Sequence, residues 1–108
     1  MATLHRTLPP LSSLVAFDAC ARHLSITHAA EELSITQPAI SRKIRALEAD
    51  LDVALFRRGH RSLRLTADGE RLHAAVSASL WRIAETAESL RNQGGGQQAS
   101  LSATLAFT

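Results

Sequence analysis

One short segment of the chain carries the side chains best suited to bind an anionic partner. Gln37, Ser41 and Arg45 recur four residues apart, so on a helix they lie one above another on a single face. Arg42 and Lys43 place two more cations beside them. In the major groove of DNA, Gln pairs with adenine and Arg with guanine, and Ser binds a phosphate or a base. The segment therefore indicates nucleic-acid recognition, and the alternative is a solvated charged face.

The helix that must position these side chains is indicated by its own apolar spacing. Four apolar residues recur at intervals of four, three and four: Ile40, Ile44, Leu47 and Leu51. Thr36 is suited to cap the helix, and Pro38 falls in its first turn, where a missing N–H breaks no intrahelical bond. We therefore expect a helix over residues 36–51 whose apolar stripe faces the core and whose Gln37 side faces outward.

Two further helices are expected before this one. Apolar residues spaced by three, four and three predict a helix of about 12–14 residues, and these residues are Leu14, Phe17, Ala21 and Leu24. Ser25 or Thr27 can cap a second, short helix in which Ala29, Ala30 and Leu33 face inward. A connection of about three residues joins the short helix to the basic one, so the pair predicts a helix-turn-helix.

The stretch ALFRRGHRSLRLT, residues 54–66, has the features of a β-hairpin, and we expect it to form a wing over residues 56–66. Leu63 and Leu65 alternate with polar residues, and Gly59-His60 is suited to the turn. Four arginines fall within eight residues: Arg57, Arg58, Arg61 and Arg64. A ribbon beside a DNA-reading helix is placed to contact phosphates or the minor groove. The alternatives are that the arginines only aid solubility, or that Arg57 hydrogen-bonds within the domain.

A long helix is expected to begin after Thr66, its cap, and to run to about Asn92. Its apolar residues are Leu72, Val76, Leu80, Ile83, Ala87 and Leu90. From Val76 onward they are spaced by four, three, four and three, a heptad-like pattern that predicts a partner helix and hence a homodimer. Trp81 lies just off this stripe and is expected to widen the contact.

The last fifteen residues differ in character from this helix. GGGQQ, residues 94–98, is predicted to be a flexible hinge. In the following SLSATLAFT, apolar residues alternate as they do in a strand. Because a single strand is not stable alone, we expect it to open a further domain that this chain does not contain.

Charge and composition limit the class of protein. The chain has 108 residues, enough for one small domain, and residues 36–64 hold seven of its twelve Lys and Arg against three acidic residues. Such clustering is typical of a nucleic-acid face. Cys20 is the only cysteine, so we expect a small buried apolar side chain and neither a disulfide nor a cysteine-based zinc site. Without a signal core or a membrane-length apolar run, we predict a cytoplasmic protein with no membrane partner.

The sequence does not indicate an enzyme. It contains neither a Gly-rich phosphate loop nor a nucleophile elbow. Its five histidines are dispersed, and His23 and His28, five residues apart, are not expected to share a helix face. We predict no catalytic residue, no metal site and no cofactor. The remaining alternative is a protein-interaction module that uses the same helices.

Several short strings together carry a specific family resemblance. The string AA-x-x-L-x-x-TQPA-x-S, followed by LE-x-x-L, LF-x-R and LT-x-x-G, resembles the LysR-type transcriptional regulators over residues 8–92. LPPL, ARHLS and LFRR are similar to the branch that contains the glycine-cleavage and β-lactamase regulators. The resemblance implies a mainly α fold, with a winged helix-turn-helix of three helices and a wing in residues 1–66. A long dimerisation linker helix over 67–93 would follow, and then a hinge and first strand of an effector-binding domain over 94–108.

The resemblance also assigns partners and residues. It implies that double-stranded DNA is bound by a homodimer whose linker helices pair antiparallel. It also implies that a full-length protein can form a tetramer. A small-molecule effector would bind only through the missing domain. The DNA-binding candidates are Ser25, Thr27, His28, Thr36, Gln37, Pro38, Ser41, Arg42, Arg45, Arg57, Arg58, Arg61 and Arg64. The dimer candidates are Leu72, Val76, Leu80, Trp81, Ile83, Ala87 and Leu90.

Two positions depart from the family pattern. Asp52 stands where the family usually has a glycine after the basic helix, and Asp tolerates the left-handed backbone expected there. His28 replaces a polar or basic residue near the start of the short helix. Its side chain either reaches a phosphate or is simply exposed.

Overall fold

The computed structural model describes residues 3–60 and 62–98, with side chains as far as residue 93. It is mostly helical, with one two-stranded antiparallel ribbon, which confirms the predicted fold class. The elements are α1 (Leu4–Thr7), α2 (Leu11–His23), α3 (Ile26–Leu33), α4 (Gln37–Leu51), β1 (Phe56–Gly59), β2 (Ser62–Leu65) and α5 (Ala67–Gln98). The sequence did not predict α1, a single turn without buried residues. The chain divides after Ser77 into two compact units.

The core of the first unit is built around α2. This helix begins after Pro10 and ends at Leu24, whose left-handed backbone (φ 50°) turns the chain toward α3. Phe17 and Cys20 are fully buried on it, as predicted for Cys20. Burial raises the pKa of the Cys20 thiol to about 11, and the nearby charge of Arg58 opposes that rise.

The helix-turn-helix consists of α3 and α4. In α3, Ala29 and Ala30 are buried, and these small side chains let α2 and α4 approach closely. Ser34 ends α3 in a left-handed conformation (φ 56°), which makes the predicted tight turn before Thr36. Asp52 ends α4 in the same way (φ 57°), as its tolerance of that backbone predicted.

The apolar stripe of α4 is confirmed in three of its four residues. Ile40, Ile44 and Leu47 are buried, whereas Leu51 is 36% exposed. Leu51 occupies the last turn of α4, where it borders an open groove together with Leu72 of α5. The stripe was therefore predicted one turn too long.

The wing is a ribbon of two four-residue strands. Phe56 pairs with Leu65 and Arg58 with Leu63, while Arg57 pairs with Arg64 on the opposite face. Leu63 and Leu65 are half-buried, so they hold the ribbon against the domain as predicted. Phe56 adds an edge-to-face contact with Phe17, with ring centroids 5.5 Å apart.

The beginning of α5 is fastened to the segment that precedes the wing. The Thr66 hydroxyl donates to the Ala54 carbonyl at 2.6 Å and accepts the Gly69 N–H at 2.9 Å, so it caps the helix as predicted. Gly69 lies so close to the chain that a Cβ there would stand 2.1 Å from the Leu55 carbonyl oxygen. These contacts explain the LT-x-x-G string in physical terms.

The predicted hinge is the main correction to the chain's C-terminal part. Residues 94–98 continue α5 instead of forming a flexible hinge. Extending an existing helix needs no new nucleus, which offsets the cost of about 1 kcal/mol that each glycine adds relative to alanine. The predicted strand in residues 99–108 lies outside the described residues.

Candidate nucleic-acid interface

The outward side of α4 brings together the side chains predicted to meet DNA. Because the buried stripe holds one side of the helix on the core, the other side faces solvent. Gln37, Pro38, Arg42 and Arg45 are exposed, and Ser41 is half-buried between them. Lys43 turns toward α2 instead, where its ammonium donates to the Ser12 hydroxyl at 3.3 Å.

The two hydroxyl residues at the helix starts are caps. The Thr36 hydroxyl accepts the Ala39 N–H at 3.2 Å, and the Ser25 hydroxyl accepts the His28 N–H at 3.1 Å. In each case the oxygen serves as acceptor, so the hydroxyl hydrogen can still be donated to an external group. Capping and anion binding are therefore compatible at both positions.

The first turn of α3 is open to solvent. Thr27 and His28 are exposed there. His23 lies on α2 and His28 on α3, so the two histidines share no helix face, as expected, although their ring centroids are 6.0 Å apart. The chain reverses at Leu24, and helical spacing therefore does not apply between the two histidines. Even so, the residues described by the structure include no group of three His, Cys, Asp or Glu side chains that could hold a metal ion.

The wing separates its arginines onto two faces. Arg57 and Arg64 lie opposite each other on the outer face and are both exposed. Arg58 is on the inner face, where it lines a cleft of about 320 Å³ against residues 24–26. One alternative from the sequence was that Arg57 hydrogen-bonds within the domain, but it is Arg58 that lines this cleft. Arg61 lies outside the described residues.

A network of polar side chains that joins α2 to α3 was not predicted from the sequence. Arg22 donates from Nε to Asp18 at 2.8 Å, and its two terminal nitrogens donate to the two carboxylate oxygens of Glu32. His23 lies 2.7 Å from Glu32 as well. The hydrogen bonds from Arg22, and then from His23, lower the pKa of Glu32 to about 2. The hydrogen bond to Glu32, and then the one to Asp18, raises the pKa of Arg22, so the Arg22–Glu32 pair stays ionised across ordinary pH.

Glu48 is a second residue that sequence reasoning missed. Its carboxylate accepts the backbone N–H of Leu55 at 2.7 Å and that of Phe56 at 3.3 Å. It therefore joins the basic helix directly to the wing. Its place in the LE-x-x-L string was the available signal, but the string alone does not name the partner.

The dimer candidates lie on α5. In the first unit Val76 is buried and Leu72 half-buried. In the second unit Ile83 and Leu90 are each 63% exposed, which leaves apolar surface for a partner. Trp81, rotated by about 100° from Leu80 on an ideal helix, lies beside this stripe and is 45% exposed. All seven assignments stay predictions.

No helix within residues 3–60 and 62–98 combines the length and the apolar character needed to cross a membrane.

Comparison with known proteins agrees with this architecture. Residues 11–70 match the family described as bacterial regulatory helix-turn-helix protein, lysR family. The glycine cleavage system transcriptional activator of Escherichia coli (strain K12) is 44% identical over 88 residues, covering 82% of this chain and 29% of that protein. The transcriptional activator AmpR of Pseudomonas aeruginosa (strain PAO1) is 50% identical over 86 residues, covering 80% of this chain and 28% of that protein.

A solved structure gives the same picture in three dimensions. The crystal structure of the BenM_DBD/benA site 1 DNA complex superposes with a TM-score of 0.71 at 30% identity, covering 82% of this chain and 99% of that one. This chain spans less than a third of the length of the two activators. The chain belongs to the LysR family of bacterial regulatory helix-turn-helix proteins.

Proposed function

We propose that this chain is the DNA-binding part of a transcriptional regulator that binds a two-fold symmetric operator as a homodimer. The observation that carries the proposal is the division of α4 into a buried apolar side and an exposed side with Gln37, Arg42 and Arg45. The outward N-terminal residues of the second helix in a helix-turn-helix are those that meet base edges. The thirteen DNA-binding candidates named above belong to this proposal.

The wing supports the same function. The facing pair Arg57 and Arg64 places two positive charges side by side on an exposed ribbon. Like charges directly opposite each other destabilise a strand pair, and a phosphate between them would remove that repulsion. The BenM_DBD protein was crystallised as a complex with DNA, which agrees with this assignment.

Residues 67–93 are proposed as the linker helix through which two copies pair. The exposed Ile83 and Leu90 would be covered in the dimer. An effector-binding domain after the linker, and a tetramer in a longer protein, are proposed from the family alone. We also propose that the protein acts in the cytoplasm and has no catalytic activity, in keeping with the transcriptional activators it resembles.

The test of DNA binding begins with selection from a random duplex pool, followed by affinity measurements at increasing salt. A protein that neutralises several phosphates should lose affinity with a log–log slope of about −0.9 per phosphate. Footprinting of the selected duplex should show two related half-sites. An absence of selected sequences, with no binding to duplex DNA at low salt, would remove the proposed function.

The dimer is tested by Leu80→Glu, which places a charge on the apolar stripe. Sedimentation should report a monomer for the variant and a dimer for the native chain. The matched control is Glu85→Gln, a change of charge at an exposed residue of the same helix. If Leu80→Glu remains dimeric, the stripe is not the interface. If the stripe pairs but DNA is not bound, the alternative of a protein-interaction module is favoured.

A further inference from the structure

Asp18 is a carboxylate buried inside the first unit of the chain. Its residue is 4% exposed, although α2 otherwise buries small and apolar side chains there. Both of its oxygens have partners: Oδ2 accepts from Arg22 Nε at 2.8 Å, and Oδ1 lies 3.2 Å from His73 Nε2. Arg22 belongs to the same helix, whereas His73 belongs to α5.

Burying a carboxylate seldom increases the stability of a folded protein. Removing a charge from water costs several kcal/mol, and a well-packed apolar residue often serves as well or better. What a buried ionic contact supplies in some proteins is a single defined arrangement of the elements it joins. The contact of Asp18 with His73 joins α2 to the first turns of α5, so it is placed to define how these two elements meet.

The ring of His73 reinforces that contact. It stands edge-on to the ring of Phe17, with centroids 6.0 Å apart and planes at 87°. Phe17 precedes Asp18 on α2 and also contacts Phe56 of the wing. The first turns of α5 are therefore held by an apolar contact and a polar contact from two adjacent residues.

The polar contact continues to the helix-turn-helix. Arg22, which holds one oxygen of Asp18, donates with its other two nitrogens to Glu32 on α3. The contacts thus run from α5 through α2 to α3, and α3 packs directly on the reading helix α4. Each link joins a different pair of groups with a defined direction, which apolar packing alone does not provide.

We propose that Asp18 is a positioning residue that sets which spacing between two DNA half-sites the dimer accepts. Because α5 continues from the turns that contact α2 into its apolar stripe, a change in those contacts would alter the distance between the two α4 helices of a dimer joined through α5. This inference rests on the proposed function, and it extends that function by naming Asp18 and His73 as residues that determine the spacing of the half-sites. Neither residue needs to contact DNA.

The experiment uses duplexes with two copies of the half-site selected by this chain. Their centre-to-centre distance is varied one base pair at a time across one helical turn, about 10 base pairs. Affinity is measured by fluorescence anisotropy at each spacing and for a duplex with one half-site. The native chain should prefer one spacing.

Two variants remove the contact in different ways. Asp18→Asn keeps the size of the side chain and removes its charge, and His73→Phe keeps the ring against Phe17 and removes the nitrogen. In both, the preference for the best spacing over one two base pairs away should fall by about threefold or more, the usual range for coupled residues. Affinity for one half-site should stay unchanged in His73→Phe.

Glu70→Gln is the matched control. It removes one negative charge from an exposed residue of α5, as Asp18→Asn removes one from α2. A general gain in affinity for DNA caused by the lost charge should appear in Glu70→Gln as well as in Asp18→Asn. The change in spacing preference should not appear in Glu70→Gln.

His73→Phe decides the outcome, since Asp18→Asn can unfold the domain, which circular dichroism would report. A spacing profile of His73→Phe equal to that of Glu70→Gln overturns the proposal. So does a native chain that binds one half-site but has no preferred spacing. If the native chain binds neither duplex, the proposed function itself has failed.

Discussion

The carboxylate of Glu48 on α4 lies 2.7 Å from the backbone nitrogen of Leu55 and accepts its hydrogen bond, so this side chain joins α4 to the start of the wing. Leu55 is almost fully buried, and without Glu48 its N–H would lose this acceptor. A buried donor left unsatisfied is costly. Helix and wing should therefore be coupled in stability.

Glu48→Ala should lower the free energy of unfolding by about 1–3 kcal/mol, the cost of an unsatisfied buried group. Chemical denaturation followed by circular dichroism measures the change. Glu48→Gln keeps an acceptor oxygen and should recover part of the loss. Asp50→Ala, at an exposed residue of the same helix, is the control. Equal losses in Glu48→Ala and Asp50→Ala would contradict this role.

Gly69→Ala should destabilise the fold by about 2–4 kcal/mol, because overpacking against backbone atoms cannot be relieved by a rotamer change. The added Cβ would meet the Leu55 carbonyl at 2.1 Å. On an exposed helix the same change would stabilise, since alanine has the higher helix propensity. Thermal unfolding gives the sign, and an increase in Tm would contradict the close approach.

Asp52→Gly should stabilise the protein by about 0.5–1 kcal/mol, because glycine adopts the left-handed region without a steric penalty. The residue has φ 57° and ends α4. Asp52→Ala is the informative comparison, and it should destabilise because alanine gains nothing from a local polar contact. A stabilising alanine would mean that the left-handed backbone is not maintained.

Glu32 should make stability depend on acid pH. Its pKa lies near 2 in the folded protein against an ordinary value of 4.5, so the unfolded state binds protons more readily. The stabilisation is complete above pH 4.5 and is lost as pH falls from about 4.5 to about 2. Glu32→Gln should flatten that part of the stability curve, whereas Glu31→Gln at the exposed neighbouring residue should not.

Base reading and phosphate contact should separate between α4 and the wing. Gln37→Ala should relax base preference in an operator library, since an Arg or Gln pair with a base edge is worth about 1–3 kcal/mol of discrimination. Arg64→Ala should weaken all sequences about equally and make the salt slope shallower by about 1. Equal effects of both changes across the library would contradict the division.

The sequence predicts well those features that depend on neighbouring residues. The inward faces of α3 and α4, the three helix caps (Ser25, Thr36 and Thr66) and the ribbon follow from periodicity and local hydrogen bonding. The left-handed backbone of Asp52 could be predicted from its residue type and its position at the end of a helix. These features are local because the groups that satisfy each other lie within about one turn.

Features that depend on distant segments were not predicted. Glu48 and Leu55 meet only because the chain turns between them, and Asp18 and His73 are 55 residues apart. Arg57 and Arg58 lie on opposite faces of the ribbon. Which of them faces inward depends on the side of the ribbon that packs on the domain, and the run of arginines alone does not predict that side. The exposure of Leu51 likewise reflects where the neighbouring helices end.

The pairing of Arg57 with Arg64 has a thermodynamic consequence for the wing. Because Arg57 and Arg64 are cross-strand partners, their like charges make the free ribbon less stable than the same ribbon with an anion bound between them. Binding of an anion and formation of the ribbon are therefore linked by one coupling free energy. An anion bound there stabilises the ribbon, and the formed ribbon binds the anion more tightly by the same amount. The stability of the wing thus depends on whether an anion is bound. Protection of its backbone amides from hydrogen exchange would therefore increase with the fraction of wings that have a phosphate bound.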